Sequence, residues 1–164
     1  MAELPQPEKC WPTILQGWCS TQQETAHSTS LEKAQKLTVT NLKKVGVSDS
    51  VFVKGKVAPE AKRFAINLGR DNSNMLIHFN PRFDENVVVY NTRKDGKWGS
   101  ETRDHHFPFK QGEITRLTFT LNSGEVTVNY PDGHRFDFKR QINLDYVEYI
   151  SAAGDFEVQS IDIK

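Results

Sequence analysis

Residues 78–83 read HFNPRF. In an extended chain successive side chains leave on opposite faces, so His78, Asn80 and Arg82 share one side while Phe79, Pro81 and Phe83 share the other. The two phenylalanines can enter a core. What remains is an imidazole, a carboxamide and a guanidinium side by side, a set of directed donors and acceptors. Further on come Asn91 and the stretch WGSETR (98–103), in which Glu101 and Arg103 again alternate onto one face and Gly99 leaves room beside Trp98. A solvated sheet face accounts for any one of these residues. It does not account for His, Asn, Arg, Asn, Glu and Arg gathering around a tryptophan. Such a set suits a sugar, because a pyranose offers hydroxyls that need directed partners and a patch of C–H bonds that rests on an aromatic face. Arg82, Glu101 and Arg103 are also able to brace one another and hold the Arg82 fork in one orientation.

Catalysis fits these residues poorly. Glycoside hydrolysis usually needs two carboxylates flanking the bond, one of them kept protonated. The pattern supplies Glu101 alone, and nothing in the sequence fixes Asp84 or Glu85, on a nearby turn, as its partner. His105 and His106 are adjacent and so point to opposite faces of a strand, with no third ligand in view, and no metal site is expected. There is no Gly-x-Ser-x-Gly and no phosphate loop. The expectation is a protein that binds and does not react, without cofactor.

The elements that must hold these residues read as short strands. Period-two alternation marks LTVT (37–40), SVFVKGKV (50–57), RFAINLG (63–69), NMLIHFN (74–80) and NVVVYN (86–91). It continues in HFPF (106–109), ITRLTFTL (114–121), EVTVNY (125–130), HRFDF (134–138), YVEYISAA (146–153) and FEVQSIDIK (156–164). Between them lie turn formers such as APEAK, GRDNS, KDGKWG, KQGE, NSGE and YPDGH. The tight turn DEN (84–86) should lay the strands on either side of it against each other. Helical spacing is absent, and only INLDY (142–146) could form a short helical turn. So many short strands predict an all-β fold, a two-sheet antiparallel sandwich or a barrel, and the strand count favours a jelly-roll β-sandwich. In the last strand Phe156 and Val158 have one parity and Ile161 and Ile163 the other, which predicts a bulge near Gln159–Ser160.

The chain of 164 residues suffices for one well-buried domain. Lys plus Arg and Asp plus Glu number 21 each, so the net charge is zero. A neutral protein lacks the clustered cationic field that draws nucleic acid or an anionic membrane, and the densest basic patch, KLTVTNLKK (36–44), is small. The first thirty or so residues differ from the rest, with Pro5, Pro7, Pro12 and a Ser/Thr/Gln-rich run. The prolines interrupt any secretory apolar core. No stretch approaches the roughly 18 apolar residues of a membrane span. A cytoplasmic start is expected. Both cysteines, Cys10 and Cys19, lie in this segment, so no disulfide holds the fold, and they are either free thiols or a redox or cross-linking pair. The absence of an Asn-x-Ser/Thr sequon agrees with a route outside the glycosylating compartments.

The pattern His78-x-Asn80-Pro81-Arg82, then Asn91, then Trp98-Gly99-x-Glu101-x-Arg103 closely resembles the carbohydrate-recognition signature of galectins. KVAPEAKRFAINLG (56–69), HFPFKQGE (106–113), YPDGHRFDF (130–138) and AAGDF (152–156) are similar to the matching family segments, so the resemblance runs from about residue 36 to 164 in one pass. It implies a jelly-roll sandwich with a single carbohydrate-recognition domain at 34–164, preceded by an extension at 1–33. It also implies binding of β-galactosides of the lactose and N-acetyllactosamine type, carried on glycoproteins and glycolipids. Carried over position by position, His78, Asn80 and Arg82 would read the axial 4-hydroxyl of galactose and Trp98 would stack on its apolar face. Asn91 and Glu101 would bind the 6-hydroxyl, Arg82 with Glu101 would reach the 3-hydroxyl of the next sugar, and Arg103 would support Glu101. The family also implies release from the cytoplasm by a non-classical route and a homodimer through the terminal strands, here LTVTNLK and FEVQSIDI. The extension departs from the single-domain members, which start close to their first strand, and leaves open whether that edge pairs. A second reading is a galectin-fold protein used for structure or protein contacts. Such members have gaps in the signature, and none occurs here.

Overall fold

Alternating apolar and polar residues bury one face of a strand and leave the other free, and two such faces closed on each other make a core. The computed structural model describes residues 37–40 and 43–164, and it has this form. Twelve strands are present and no helix among the described residues: β1 Leu37–Val39, β2 Ser50–Val57, β3 Phe64–Asp71, β4 Asn74–Arg82, β5 Val87–Lys94, β6 Lys97–Trp98, β7 Thr102–Asp104, β8 Ile114–Leu121, β9 Glu125–Asn129, β10 Arg135–Lys139, β11 Tyr149–Gly154 and β12 Phe156–Ile163. They form a seven-stranded sheet in the order β1-β11-β3-β4-β5-β6, with β7 also pairing β5, and a five-stranded sheet in the order β10-β9-β8-β2-β12. Every pairing is antiparallel. The all-β sandwich read from the sequence is the fold observed. The expected extension at 1–33, with Cys10 and Cys19, lies outside the described residues.

Phe79 shows how the sheets close. It is fully buried on β4, and its ring meets Tyr90 and Phe109 edge-on, Phe119 of the opposing sheet at 5.5 Å between centroids, and Tyr130 at 6.1 Å. Each such pair adds about 0.5–1.5 kcal/mol beyond the area it buries. Truncating a ring of this kind to alanine costs about 3–5 kcal/mol. With Phe79 locked inward, its neighbours His78 and Asn80 must face out. The inward face also holds polar groups. The Tyr90 hydroxyl lies 2.6 Å from that of Tyr130, which donates to Asp104 Oδ2 at 2.8 Å. The same Asp104 oxygen lies 3.0 Å from His134 Nε2, and Oδ1 accepts the backbone N–H of His106 at 3.1 Å. Burial raises the pKa of the Tyr90 and Tyr130 phenols above the usual phenol range.

Four details depart from or complete the sequence reading. Residues 106–109 form no strand: Phe107 and Phe109 pack T-shaped at 5.4 Å, Phe109 is buried, and Pro108 has no N–H to give a ladder. Their alternation records packing without pairing. The segment 142–146 bends and is not helical. The short strands β6 and β7, two and three residues long, were not expected, since period two cannot show over so few residues. The register of β12 on β2 shifts between Val158 and Ser160, so the expected bulge is present and reconciles the two parities.

The candidate groove and its supports

A row of polar residues crosses four strands on the outward face of the seven-stranded sheet. In register, Ser151 of β11 sits beside Asn67 of β3, Asn67 beside His78 of β4, and His78 beside Asn91 of β5. Asn67 Nδ2 donates to Ser151 Oγ at 3.0 Å, which turns its carbonyl oxygen toward His78 Nδ1 at 2.6 Å. A carbonyl oxygen only accepts, so Nδ1 carries the proton and Nε2 is left as an acceptor. Burial lowers the His78 pKa to about 4, helped by the nearby Arg82 and Arg93 and opposed by Glu101. The imidazole is neutral at pH 7.

The next row is held as tightly. Asn80 Nδ2 donates to the Phe64 carbonyl at 2.8 Å, and its Oδ1 accepts Arg82 Nε at 2.9 Å. The Arg82 fork then meets Glu85 at 3.1 Å and Glu101 at 3.7 Å. Arg103 spans the same two carboxylates at 3.0 Å each, and Arg63 adds a contact to Glu85 at 2.9 Å. Exposed ion pairs contribute little stability one by one. Joined in a ring they fix direction, and both guanidinium groups are set before anything arrives. Hydrogen bonds from Arg103 and then Arg82 hold the Glu85 carboxyl below its ordinary pKa.

The aromatic wall stands on a hairpin. Asp95 and Gly96, with φ of 49° and 80°, make the two-residue turn between β5 and β6, a left-handed pair for which Asp-Gly is suited. Beyond it Trp98 is 48% exposed, and its ring centroid lies 4.7 Å from that of His78. Gly99 closes the wall: its N–H donates to the Thr92 carbonyl at 2.9 Å, and a Cβ there would stand 2.6 Å from Gln141 Oε1. Asn91 Oδ1 accepts the Thr92 N–H at 2.7 Å, so its amide nitrogen remains to be used.

His78, Arg82, Asn91, Trp98 and Glu101, with Val89 and Gly99, line a groove of about 400 Å³. Five of the seven residues singled out from the sequence thus come together on one surface. The other two stand behind it: Asn80 is buried against Arg82, and Arg103 backs Glu101. Sequence reasoning missed Asn67, Ser151, Arg63 and Glu85. Of these only Glu85 carried a signal, an acid on the turn beside Arg82, which was set aside for want of a fixed partner. The structure gives Glu85 a different role from a second carboxylate beside Glu101: it is held by three arginines, Arg63, Arg82 and Arg103. Among the described residues no group of three or more His, Cys, Asp or Glu is placed to hold a metal ion.

The arrangement offers an acceptor at His78 Nε2, donors at Arg82 and Asn91, an acceptor at Glu101 and a flat apolar wall. Comparison with known proteins gives the same direction. A family model described as galactoside-binding lectin matches residues 27–163. Galectin-1 of Mus musculus is 43% identical over 113 residues, covering 66% of this chain and 84% of that protein. The 16 kDa beta-galactoside-binding lectin of Gallus gallus is 40% identical over 131 residues, 77% of this chain and 96% of its own. Among solved structures, CG-16, a homodimeric agglutinin from chicken liver, superposes with a TM-score of 0.76 at 39% identity, covering 79% of this chain and all of that one. The complex of toad ovary galectin with thio-digalactose gives 0.75 at 34% identity, with 79% of this chain and 98% of that one covered.

Proposed function

The chain belongs to the galactoside-binding lectin family, and on that premise we propose that its groove binds β-galactosides of the lactose and N-acetyllactosamine type. A lectin of this kind holds its ligand and does not convert it. The observation that carries the reading is the His78 ring, neutral and turned by Asn67 so that Nε2 faces the groove as an acceptor beside the Arg82 donors. An axial 4-hydroxyl then finds both kinds of partner at one point: it donates to Nε2 and accepts from Arg82. Asn80 holds Arg82 for this. Trp98 takes the C–H patch of the same ring. Asn91 donates to the 6-hydroxyl and Glu101 accepts from it, while Arg82 and Glu101, steadied by Arg103, serve the 3-hydroxyl of the neighbouring sugar.

Residues 34–164 supply the whole of this site as one recognition domain. Pairing of two copies through the terminal strands is part of the proposal, supported by the place of β1 and β12 at the edges of their sheets, where among the described residues no further strand lies alongside. Two grooves on one dimer would cross-link glycoproteins and glycolipids with avidity beyond a single site. Such glycans face the outside of the cell, where the protein would act after non-classical release.

The test is a pair of disaccharides. Galactose and glucose differ only in whether the 4-hydroxyl is axial or equatorial. The equatorial hydroxyl leaves His78 and Arg82 without partners in a partly desolvated groove, at roughly 1–3 kcal/mol for each group. Calorimetric titration should show lactose binding and cellobiose not binding. Equal affinities would overturn the assignment of His78, Asn80 and Arg82, and no binding of either would favour a galectin fold used for protein contacts.

A further inference from the structure

We propose that Arg93 is a positioning residue that sets the plane of Trp98 for stacking on the sugar, an inference that rests on the galactoside reading of the groove. Arg93 and Trp98 are register partners across the β5–β6 hairpin, and the guanidinium carbon lies over the indole, 5.1 Å from its ring centroid. Arg93 is not among the residues lining the groove, so its contact is with the wall and not with the space the wall faces. Nη1 donates to the Asn72 carbonyl at 3.2 Å, while Nε is buried and has no partner among the described residues. A buried donor left unpaired is costly. The side chain therefore takes its orientation from the ring and from Asn72 and not from a full set of hydrogen bonds.

Asn72 is a firm anchor. It belongs to the turn between β3 and β4, where Asp71 Oδ1 accepts the N–H groups of Ser73 and Asn74 at 2.9 Å each. The same turn grips the tip of the tryptophan hairpin: Gly96 N–H donates to the Ser73 carbonyl at 2.9 Å and Asp95 N–H to Asn74 Oδ1 at 3.0 Å. The hairpin is thus tied at its tip through the backbone, and Arg93 extends the tie to the indole itself. Trp98 needs this, since it is half exposed and sits on a strand of two residues. An indole already held flat loses less freedom when a sugar stacks on it.

The test uses the full chain carrying Trp11→Phe and Trp18→Phe, which makes Trp98 its only tryptophan. In that background Arg93→Met keeps length and bulk but loses the planar cation, and Arg93→Lys restores the charge. Arg93→Met should weaken lactose about five-fold, the size of one partly exposed cation–π contact. It should also lower the fluorescence anisotropy of Trp98 with the thermal midpoint nearly unchanged, and Arg93→Lys should recover part of both signals. Unchanged affinity, or weaker affinity with unchanged anisotropy, overturns the proposal, and so does an Arg93→Met chain that fails to fold, because Arg93 is then a stability residue. Failure of the parent chain itself to bind lactose overturns the galactoside reading instead, and the anisotropy difference still reports on the clamp.

Discussion

Strand β5 carries a polar network on each of its two faces. On the outward face Asn91 continues the row of Ser151, Asn67 and His78, and the chain of hydrogen bonds ends in atoms that point into the groove. On the inward face Tyr90 begins a chain through Tyr130 to Asp104, where His134 and the backbone of His106 also arrive. Tyr90 stacks on Phe136 at 4.3 Å, and the polar atoms of this second chain are spent on one another. The two networks are alike in size, four residues each, though the outer one is built on amides and the inner one on phenols and a carboxylate. They differ in what is left unspent. A polar cluster that satisfies itself is a piece of core, and one that stops short, with its last donors and acceptors aimed, is a site.

The comparison breaks if the networks trade roles, and the largest effect is expected at Arg82. Arg82→His should cost lactose about 4 kcal/mol, the loss of two charge-assisted bonds, with little change in thermal midpoint. A collapse in stability with retained binding would make the outer network structural. Acid tests the outer face next. The folded His78 titrates near 4 and the unfolded one near 6.5, so below pH 6.5 the unfolded chain takes the proton first. Stability from this group is complete above pH 6.5 and lost as pH falls toward 4, up to about 3 kcal/mol. Lactose affinity should stay level from pH 8 to about 5 and fall near pH 4, as Nε2 gains a proton and ceases to accept. Denaturant melts across this range decide it, with His78→Gln as the control whose shallower fall is the carboxylates' share.

The inner network should answer in the opposite way. Tyr130→Phe removes the link between Tyr90 and Asp104 and should cost about 1–2 kcal/mol of stability by chemical denaturation, with lactose affinity unmoved. The smallest effect is Trp98→Leu. It keeps bulk and loses the flat face, for about 1 kcal/mol of lactose binding by calorimetry and no loss of melting temperature. If Trp98→Leu unfolds the chain, the wall belongs to the core.

How far these roles were legible follows from sequence distance. His78, Asn80 and Arg82 are separated by single residues, so strand parity alone puts them on one face, and the phenylalanines between them say which face is outward. Trp98 announced itself as an aromatic beside a glycine after an Asp-Gly turn. Asn67 and Ser151 could not be read so, because their hydrogen bond joins residues 84 positions apart and exists only through the register of β3 and β11. The same limit hid the closed network. Tyr90 and Tyr130 read as ordinary apolar strand residues until the sandwich brought them together. The segment at 106–109 misled for the converse reason: its phenylalanines alternate because both meet the core, and alternation cannot reveal that no strand lies alongside.

Tyr90 and Asn91 are consecutive residues whose side chains leave the strand in opposite directions. A substitution at Tyr90 therefore acts first on the core, and one at Asn91 acts first on the groove. Substitutions at the outward parity of β4 and β5 change what the groove presents and leave the packed interior in place. A strand arranged this way lets a lineage explore new glycans in small steps without first having to find a new way to fold.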